Sequence, residues 1–407
     1  MWSKPAVNAI ASGPAHVIRS DQETLAIVSE LAAKFRVGAA ERDRERRLPA
    51  AEIEELTRAG FFGVTVPSRF GGADVSAVTV AESFRMLSAA DPSIGQIPQN
   101  HFCWLPVASN GDEAQAEFLF GHLLAGDRIG NAHSEDTLKR PGDYEHQLER
   151  VAGGYRLTGR KFYSTGALFA HWIPFVATID TGAGAEPHMF FAAAGSEGLT
   201  IVDDWSGMGQ RTTASGTTIF ESVFVPESLV FPLRARTDVG RSFALNASLI
   251  HAAIDVGIAE EALDDAARYI RSNNRPWLGN PHDEHAREPF VVRDFGRLGV
   301  LARTARLSLL HAARLIDEAR RAPTPEALIA ARMAIADSRL VASEAATRIA
   351  DEFFLLTGGR ATLAKHALDR HWRNARTHSL HDPLRWKEYH IGNYYLNGEV
   401  PGPGNYI

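Results

Sequence analysis

Apolar residues recur every three or four positions in the first part of the chain, which predicts helices. Leu25, Val28, Ala32 and Phe35 share one helix face, and Asp21 is the predicted N-cap of that helix. Three further helices are predicted at residues 49–60, 77–89 and 112–124. The pattern therefore predicts a helical N-terminal domain over residues 21–127. The alternating charges at 41–47 are interpreted as the solvated face of a helix.

The pattern changes near residue 128 to short runs of β-branched and aromatic residues. Turns that contain glycine separate these runs, as at 153–154 and 197–198. The runs lie at 155–158, 171–177, 189–192 and 223–225. They predict a central antiparallel β domain over residues 128–235.

Long alanine-rich amphipathic stretches occupy the last part of the chain. They lie at 243–272, 289–320 and 325–356, and Pro323 and Pro325 mark a sharp turn between the last two. Long helices joined by short loops are typical of an up-and-down bundle. The expected fold class is α+β: a helical domain, a β domain and a C-terminal four-helix bundle over 236–395. Residues 1–20 are expected to form a loose extension, and residues 396–407 a tail.

Composition excludes several classes of protein. The 407 residues contain 45% apolar and 23% charged side chains, and the net charge is −6. These values are ordinary for a globular protein and provide no basic surface for nucleic acid. Cys103 is the single cysteine, so an intramolecular disulfide is impossible and a cytoplasmic location is expected. Neither a membrane span nor a secretory signal is expected from the apolar pattern.

Small polar groups cluster at two element ends in and before the β domain. They belong to Asn131, His133 and Ser134 in the first segment, and to Tyr163, Ser164 and Thr165 in the second. Such groups can hydrogen-bond the rim of a planar heterocycle, while aromatic residues such as Tyr163 or Trp205 flank its face. The structural alternative is that serine and threonine here simply form turns.

Two adjacent glycines, Gly358 and Gly359, directly follow the last long stretch. A glycine C-cap is the structural interpretation. Adjacent glycines also let a phosphate-bearing ligand approach the main chain. The segment is not a GxGxxG motif and no strand precedes it, so a Rossmann fingerprint is excluded.

Histidine is abundant, with 16 residues in total, and five of them lie between His366 and His390. His378 and His381 are three apart, hence on one face if the helix continues, and Pro383 predicts a helix end close to His381. A metal site is disfavoured because no second ligand pair is visible. Structural hydrogen bonding and acid–base work at a pocket both remain open. His101 lies among aromatic residues, where a core or capping role is the more common one.

The chain resembles the acyl-CoA dehydrogenase superfamily from about Asp21 to Tyr395. The order of domains supports this resemblance, as do motifs at 155–166, 209–212, 220–226 and 356–359. Within the superfamily it resembles most closely the sulfur-acquisition oxidoreductases and the dibenzothiophene monooxygenase-like flavin-dependent monooxygenases. The segments that carry this closer resemblance are 89–102, 161–167, 369–383 and 386–394.

One departure from the dehydrogenases is informative. Many of them carry a catalytic glutamate in a Tyr-Glu-Gly-Thr segment, where this chain has His381-Asp382-Pro383-Leu384. Asp382 is one methylene shorter and precedes a proline, which argues against a carboxylate base in the same pose. Loss of that base would cripple α,β-dehydrogenation.

The resemblance implies a flavin between the β domain and the bundle. The residues implied at the isoalloxazine are Asn131, His133, Ser134, Tyr163, Ser164, Thr165 and Trp205. Arg275, Gly358 and Gly359 would meet the phosphate end across a subunit contact. A guanidinium suits that task because it forks onto phosphate oxygens. A homotetramer, built as a dimer of dimers on the bundle, is also implied.

The implied activity is that of a two-component monooxygenase. Reduced FMN from a separate NAD(P)H-flavin reductase would react with O2 to a C4a-hydroperoxyflavin, which oxygenates a small organosulfur compound. His381 would be the acid–base group, His101 and Ser164 would stabilise the peroxide, and His378 would support the pocket. FAD is the alternative cofactor. An FAD-dependent acyl-CoA dehydrogenase that uses Asp382, or an inert flavin-binding scaffold, is the alternative function.

Overall fold

The computed structural model of the chain describes residues 15–135, 145–180, 182, 184–233, 243–273 and 275–401. The predicted N-terminal extension and C-terminal tail lie partly outside these residues. Helices come first, strands follow, and helices complete the described chain. The structure therefore confirms the expected α+β class and the order of its three parts.

The helices lie in two groups, before and after the strands. The first group is α1 Asp21–Arg36, α2 Ala39–Glu45, α3 Ala50–Arg58, α4 Ala77–Ala90, α5 Pro92–Gln96, α6 Gln99–Trp104 and α7 Glu113–Leu124. The second group is α8 Phe243–Ser272, α9 Pro289–Arg321, α10 Pro325–Thr357, α11 Asp369–Ser379 and α12 Arg385–Asn397.

The strands form two antiparallel sheets. Their bounds are β1 Gln147–Val151, β2 Gly154–Lys161, β3 Trp172–Asp180, β4 Ala185–Ala193, β5 Leu199–Ile201, β6 Thr218–Pro226 and β7 Val230–Pro232. One sheet has the order β1-β2-β6-β5 and the other has the order β3-β4-β7. Phe175 and Phe220, one from each sheet, have ring centroids 4.8 Å apart, so apolar rings pack the sheets together.

The predicted helix boundaries agree closely with the structure, with one correction at the first helix. Ser20, and not Asp21, is the N-cap of α1, because its hydroxyl accepts a hydrogen bond from the Glu23 N–H at 3.1 Å. The Asp21 carboxylate instead accepts from the Ser76 N–H at 2.9 Å. Asp21 thereby ties α1 to the start of α4.

The charged run of α2 is not simply a solvated face, so that prediction is wrong for two of its residues. Arg42 is buried, and its Nε donates to Oδ2 of Asp91 at 2.8 Å. Asp43 is also buried and accepts from Nη2 of Arg373 at 2.5 Å. These pairs fasten α2 to the start of α5 and to α11.

Helix α8 lies at the centre of the molecule. It packs against α4 of the N-terminal domain and against α9, α10 and α11 of the bundle. Apolar residues along its length, such as Ile250, Ile254 and Ile258, are fully buried. A polar side chain on such a helix needs a partner in the core. None of the described helices is both long and apolar enough to cross a lipid bilayer.

Candidate active site

The loop after α7 lies against the end of β2. Asn131 is buried there, and its Nδ2 donates to the Tyr163 carbonyl at 2.9 Å. Its Oδ1 accepts from Nε1 of Trp104 at 3.4 Å. The main chain repeats the contact, because the Phe162 N–H donates to the Ser134 carbonyl at 2.9 Å. The two segments that were predicted separately thus form one polar wall.

Tyr163 turns the chain sharply at this wall. Its φ is +55°, in the left-handed region that non-glycine residues rarely adopt. The ring remains 54% exposed and lies 6.1 Å from the Trp205 ring, edge to face. Nε1 of Trp205 donates to the Gln210 carbonyl at 2.8 Å, which holds the indole in place. The two rings can therefore flank a planar ligand.

Ser164 carries a hydroxyl without a partner. The residue is 1% exposed, its N–H donates to the Gly216 carbonyl at 3.0 Å, and its Oγ has no hydrogen-bond partner among the described residues. The Gln210 side-chain amide is likewise buried, and neither its nitrogen nor its oxygen has a partner there. Buried polar atoms are nearly always paired, so orphans on one wall indicate a place for a ligand.

Thr165 belongs to a chain of hydroxyls with a defined direction. Oγ of Thr213 donates to the Gln210 carbonyl at 3.0 Å, so it must accept from Ser215, whose Oγ lies 2.7 Å away. Ser215 must then accept from Thr165, at 2.7 Å. Since a hydroxyl has one proton, Thr165 is left with only acceptor capacity toward the site.

His133 is partly buried beside Trp104, with ring centroids 5.6 Å apart. Burial and the nearby charge of Lys161 lower the pKa of His133 to about 4. Lys161 itself is fully buried, and its Nζ lies 2.6 Å from Oε1 of Glu135. His133 is therefore neutral at neutral pH and offers this wall an uncharged ring.

Both ring nitrogens of His101 are hydrogen-bonded to main-chain groups. Its Nδ1 accepts from the Ile129 N–H at 3.0 Å, and its Nε2 donates to the Phe62 carbonyl at 2.7 Å. The ring is fully buried, and burial lowers its pKa to about 4. Both nitrogens are committed to main-chain groups, so the structure places His101 as a link between segments and leaves no nitrogen for a peroxide.

The other two predicted histidines lie in a second cluster, at the junction of α8, α10 and α11. Nδ1 of His378 lies 2.5 Å from Oδ1 of Asp255, and its Nε2 lies 3.0 Å from Nδ1 of His251. The His381 ring lies over the His251 ring with centroids 3.9 Å apart. Both His378 and His381 contact His251, which joins them. Helix α11 ends at Ser379, so the two histidines do not share a face of that helix.

Asp382 is held by two cations. Its Oδ1 lies 2.8 Å from Nη2 of Arg339, and its Oδ2 lies 2.8 Å from Nζ of Lys387. Burial by itself would raise the pKa of Asp382, but the bond to His381 and the charges of Arg339 and Lys387 hold it far below its usual range. A carboxylate in this environment is a weak base.

Helix α11 connects the histidine cluster to the polar wall. The Gly209 N–H donates to Oγ1 of Thr377 at 3.0 Å, and the Gln210 N–H donates to Oδ1 of Asn374 at 2.7 Å. The helix that carries His378 is thus docked on the loop that orients Trp205 and Thr213. Hydrogen bonds from main-chain N–H groups of the loop to two side chains of α11 therefore position the wall and the cluster relative to each other.

The predicted phosphate-binding residues lie elsewhere in the fold. Gly358 caps α10 with φ +74°, and its N–H donates to the Phe354 carbonyl at 3.0 Å, which confirms the glycine C-cap. A Cβ placed on Gly358 or Gly359 would meet no other part of the described chain within 4 Å. Arg275 is exposed in the segment after α8. The single chain therefore does not bring these three residues onto the polar wall.

Sequence reasoning missed His251, Asp255, Arg339 and Gln210. A signal for the first two was present, because His251 and Asp255 are four apart in an otherwise apolar stretch of α8 and hence share a helix face. Arg339 stands in an alanine-rich part of α10. Within the described ranges, no group of three or more histidine, cysteine or acidic residues is placed to hold a metal ion.

The residues of the wall fit a flavin. The unpartnered Ser164 hydroxyl, the unpartnered Gln210 amide and the acceptor face of Thr165 suit a heterocycle with a polar rim. Tyr163 and Trp205 supply aromatic surface beside them. The fit is one of chemistry: polar atoms at the rim and rings at the face.

Two family models match the chain. The model described as acyl-CoA dehydrogenase, N-terminal domain matches residues 21–127, and the model described as acyl-CoA dehydrogenase, C-terminal domain matches residues 249–386. Together they cover more than half of the chain, and they flank the described strands.

Named relatives match over almost the full length. Dibenzothiophene monooxygenase of Rhodococcus erythropolis is 31% identical, covering 95% of this chain and 96% of its own. The probable FMNH2-dependent monooxygenase SfnC of Pseudomonas putida is 30% identical over 94% and 97%, respectively. The structure of methanesulfinate monooxygenase MsuC from Pseudomonas fluorescens superimposes with a TM-score of 0.86 at 30% identity, covering 94% of this chain and 99% of MsuC.

Proposed function

This chain belongs to the acyl-CoA dehydrogenase family, and from that premise we propose that it is a flavin-dependent monooxygenase. Its substrate is a small organosulfur compound, to which it adds one oxygen atom from O2. The named relatives that are monooxygenases of dibenzothiophene and of methanesulfinate support both parts of the proposal.

The environment of Asp382 argues for a monooxygenase and against a dehydrogenase. Asp382, the acid in the segment where many dehydrogenases have their glutamate, is neutralised by Arg339 and Lys387 at 2.8 Å each. Proton abstraction from a carbon acid needs a free base of suitable pKa. His381 and His251 lie close to Asp382, and burial lowers the pKa of both rings. Proton exchange with an oxygen atom needs a much weaker base than proton abstraction from carbon.

FMN is the proposed cofactor, and reduced FMN from a separate NAD(P)H-dependent reductase is the proposed form. The FMNH2 dependence in the name of SfnC supports this choice over FAD. Bound reduced flavin supplies the two electrons that activate O2. The residues that would hold its ring system are Asn131, His133, Ser134, Tyr163, Ser164, Thr165 and Trp205.

The chain's own residues have distinct tasks in this proposal. Ser164 donates its free hydroxyl to an oxygen atom in the pocket, and Thr165 accepts from an N–H of the ring system. Tyr163 and Trp205 cover the ring faces and exclude water, which limits wasteful release of hydrogen peroxide. His378 and His381 belong to the cluster that moves the proton.

The phosphate end and the assembly are proposed together. Arg275, Gly358 and Gly359 would meet the phosphate of a flavin bound mainly by another subunit. Large apolar side chains on α9 and α10 remain exposed in the single chain, including Phe290, Val300, Leu307 and Leu355. Exposed apolar surface of this kind supports a homotetramer, a dimer of dimers. Light scattering of the purified protein tests this, and a monomer would contradict it.

The test of function is isotopic. Purified protein is supplied with FMN, NADH and an independent flavin reductase under ¹⁸O2, and methanesulfinate and dibenzothiophene are offered separately. We expect one ¹⁸O atom in the product of at least one substrate, detected by mass spectrometry. Catalase is present, so that oxidation by free hydrogen peroxide does not mimic the enzyme.

The same protein is tested in parallel with FAD, butyryl-CoA and an artificial electron acceptor. Reduction of the acceptor would overturn the monooxygenase proposal in favour of an acyl-CoA dehydrogenase. Tight FMN binding with no labelled product and no acceptor reduction would leave an inert flavin-binding scaffold.

A further inference from the structure

Six side chains form a closed ring of contacts at the junction of α8, α10 and α11. From Asp255 the ring passes through His378, His251 and His381 to Asp382, and it returns through Arg339. Successive contacts measure 2.5 Å, 3.0 Å, 3.9 Å between ring centroids, 3.6 Å, 2.8 Å and 2.6 Å. Lys387 joins it at Asp382. Two acidic and two basic side chains balance, so the cluster is neutral when its histidines are neutral.

The hydrogen bonds of the ring determine where the protons lie. Asp255 is an acceptor, so Nδ1 of His378 carries a proton and donates it to Oδ1 of Asp255. Nε2 of a neutral His378 is then an acceptor, and Nδ1 of His251 must donate to it. This leaves Nε2 of His251 as a bare lone pair.

That lone pair is an anomaly in the core. His251 is 3% exposed, and its Nε2 has no hydrogen-bond partner among the described residues. A buried acceptor left without a partner costs about 1–3 kcal/mol. The packing thus orients the ring through its Nδ1 and leaves the opposite nitrogen for a group outside the described residues.

We propose that Nε2 of His251 is the catalytic atom that accepts and returns the proton moved during oxygen transfer, with His378 and Asp255 as its positioning relay. The proposal rests on the proposed monooxygenase function and names the acid–base atom within its histidine cluster. His381 covers the His251 ring from the exposed side, since its own side chain is 48% exposed.

The proton balance closes within the relay. A proton that binds Nε2 of His251 releases the Nδ1 proton to Nε2 of His378, so one N–H bond breaks and two form. The charge then rests on the His378 ring, beside the Asp255 carboxylate, and the reverse shift returns the proton. In the overall reaction, substrate, O2, two electrons and two protons give the oxygenated substrate and one water; reduced flavin brings the electrons.

Electrostatics favours a neutral His251 ring in the resting state. The charged and titratable groups of this cluster are Asp255 on α8, Arg339 on α10, His378 on α11, and His381 and Asp382 between α11 and α12, with Lys387 of α12 paired to Asp382. Burial, followed by His381, His378 and Arg339, holds the pKa of His251 well below its usual value. The His251 ring is therefore uncharged at neutral pH with the Nε2 lone pair open, and the Asp255 carboxylate beside His378 offsets the charge that the transfer places on that ring.

The first test replaces His251 with asparagine, whose side-chain amide takes the place of one of the two ring nitrogens. His251→Asn keeps a donor in the place of Nδ1, facing His378, but has nothing in the place of Nε2. We expect unchanged FMN affinity and a loss of about 100-fold or more in the rate of ¹⁸O product formation. In a parallel assay without catalase, we expect more hydrogen peroxide per NADH. His122→Asn is the matched control, because it makes the same change at a histidine outside the cluster whose Nδ1 is also hydrogen-bonded to a side chain, that of Asp127 at 2.8 Å. It should behave like wild type.

The second test needs neither flavin nor turnover. Nitrogen-15 spectra of histidine-labelled, flavin-free wild type report which ring nitrogen is protonated, and His251→Asn and His378→Gln assign the two signals. We expect a protonated Nδ1 and a bare Nε2 on both rings at neutral pH. A proton on Nε2 of His251 would contradict the relay, even if a variant folds poorly.

The outcomes separate the two proposals. If wild type gives labelled product and His251→Asn keeps its rate and its coupling, the relay is wrong while the monooxygenase function stands. The same holds if His381→Asn loses the rate and His251→Asn does not. If wild type gives no labelled product, the function itself fails, and the nitrogen-15 spectra still decide the tautomers.

Discussion

Arg339 and Asp255 form a fully buried ion pair that joins α10 to α8, with Nη1 and Oδ2 2.6 Å apart. Removing one partner of a buried ion pair costs about 3–5 kcal/mol when the other charge is left unpaired. Because Arg339 keeps Asp382 as a second partner at 2.8 Å, we expect Asp255→Asn to lower the free energy of unfolding by up to that amount and by more than about 1 kcal/mol, as measured by chemical denaturation. Asp203→Asn removes the partner of Arg46 at the surface and should cost at most about 1 kcal/mol. Equal losses of unfolding free energy in the two variants would show that the buried pair stabilises the protein no more than the surface pair.

Ser164→Ala tests the unpartnered hydroxyl of the polar wall. Since Oγ makes no hydrogen bond within the described chain, its removal should leave the melting temperature unchanged. If the hydroxyl meets the flavin or an oxygen atom on it, FMN affinity or coupling should fall about tenfold, equivalent to about 1.4 kcal/mol. Ser338→Ala, which removes a similar unpartnered hydroxyl inside α10, is the control. An identical response of both variants in fluorescence titration would argue against a role for Ser164.

Arg275→Ala tests the phosphate contact. A guanidinium that pairs with the phosphate of FMN contributes about 1.5–3 kcal/mol, so FMN affinity should fall about tenfold to a hundredfold. Riboflavin has no phosphate, and its binding should not change. Arg287→Ala, at a 69% exposed side chain nearby in sequence, should affect neither ligand. A parallel loss of FMN and riboflavin would place Arg275 outside the phosphate site.

We expect the free energy of unfolding to fall in mild acid because of His101. Burial lowers its pKa to about 4, whereas an unfolded histidine titrates near 6.5. Below pH 6.5 the unfolded chain binds the extra proton, so the contribution is present above that pH and is lost as the pH falls toward 4. The loss amounts to about 3 kcal/mol at the lower end. His101→Asn, which can still accept from the Ile129 N–H, should show a flatter dependence between pH 7 and 4 in urea titrations; an unchanged slope would contradict this.

Gly209→Ala should weaken the contact between the β domain and α11. A Cβ at Gly209 would overlap the Arg373 carbonyl, which belongs to a helix that cannot move aside without losing the bonds of Asn374 and Thr377. We expect a lower melting temperature and weaker FMN binding together. Gly121→Ala on α7 meets open space and should stabilise the protein by up to about 1 kcal/mol, because alanine favours helix. Equal melting temperatures of the two variants would show that the close approach at Gly209 contributes little to stability.

The long helices could be predicted almost to the residue because their signals are local. The apolar stripes of α8, α9 and α10 and the prolines that begin α9 and α10 are all read within a few turns of chain. Short strands were located less completely. The order β1-β2-β6-β5 was not predicted at all, because strand pairing depends on contacts between distant segments.

The candidate site likewise has features that local sequence predicts and features that depend on contacts between distant segments. The sequence by itself determined the domain order and the polar segments at 131–134 and 163–165, and its family resemblance pointed to the mismatch at Asp382 with a dehydrogenase base. Only the tertiary structure decided that His101 is committed to main-chain groups and that His378 reaches His251 across 127 positions of the chain. Helical periodicity reports which residues share a face of one helix. Which side chains of two helices meet depends on how those helices pack. The packing of α8 and α11 leaves Nε2 of His251 without a hydrogen-bond partner among the described residues.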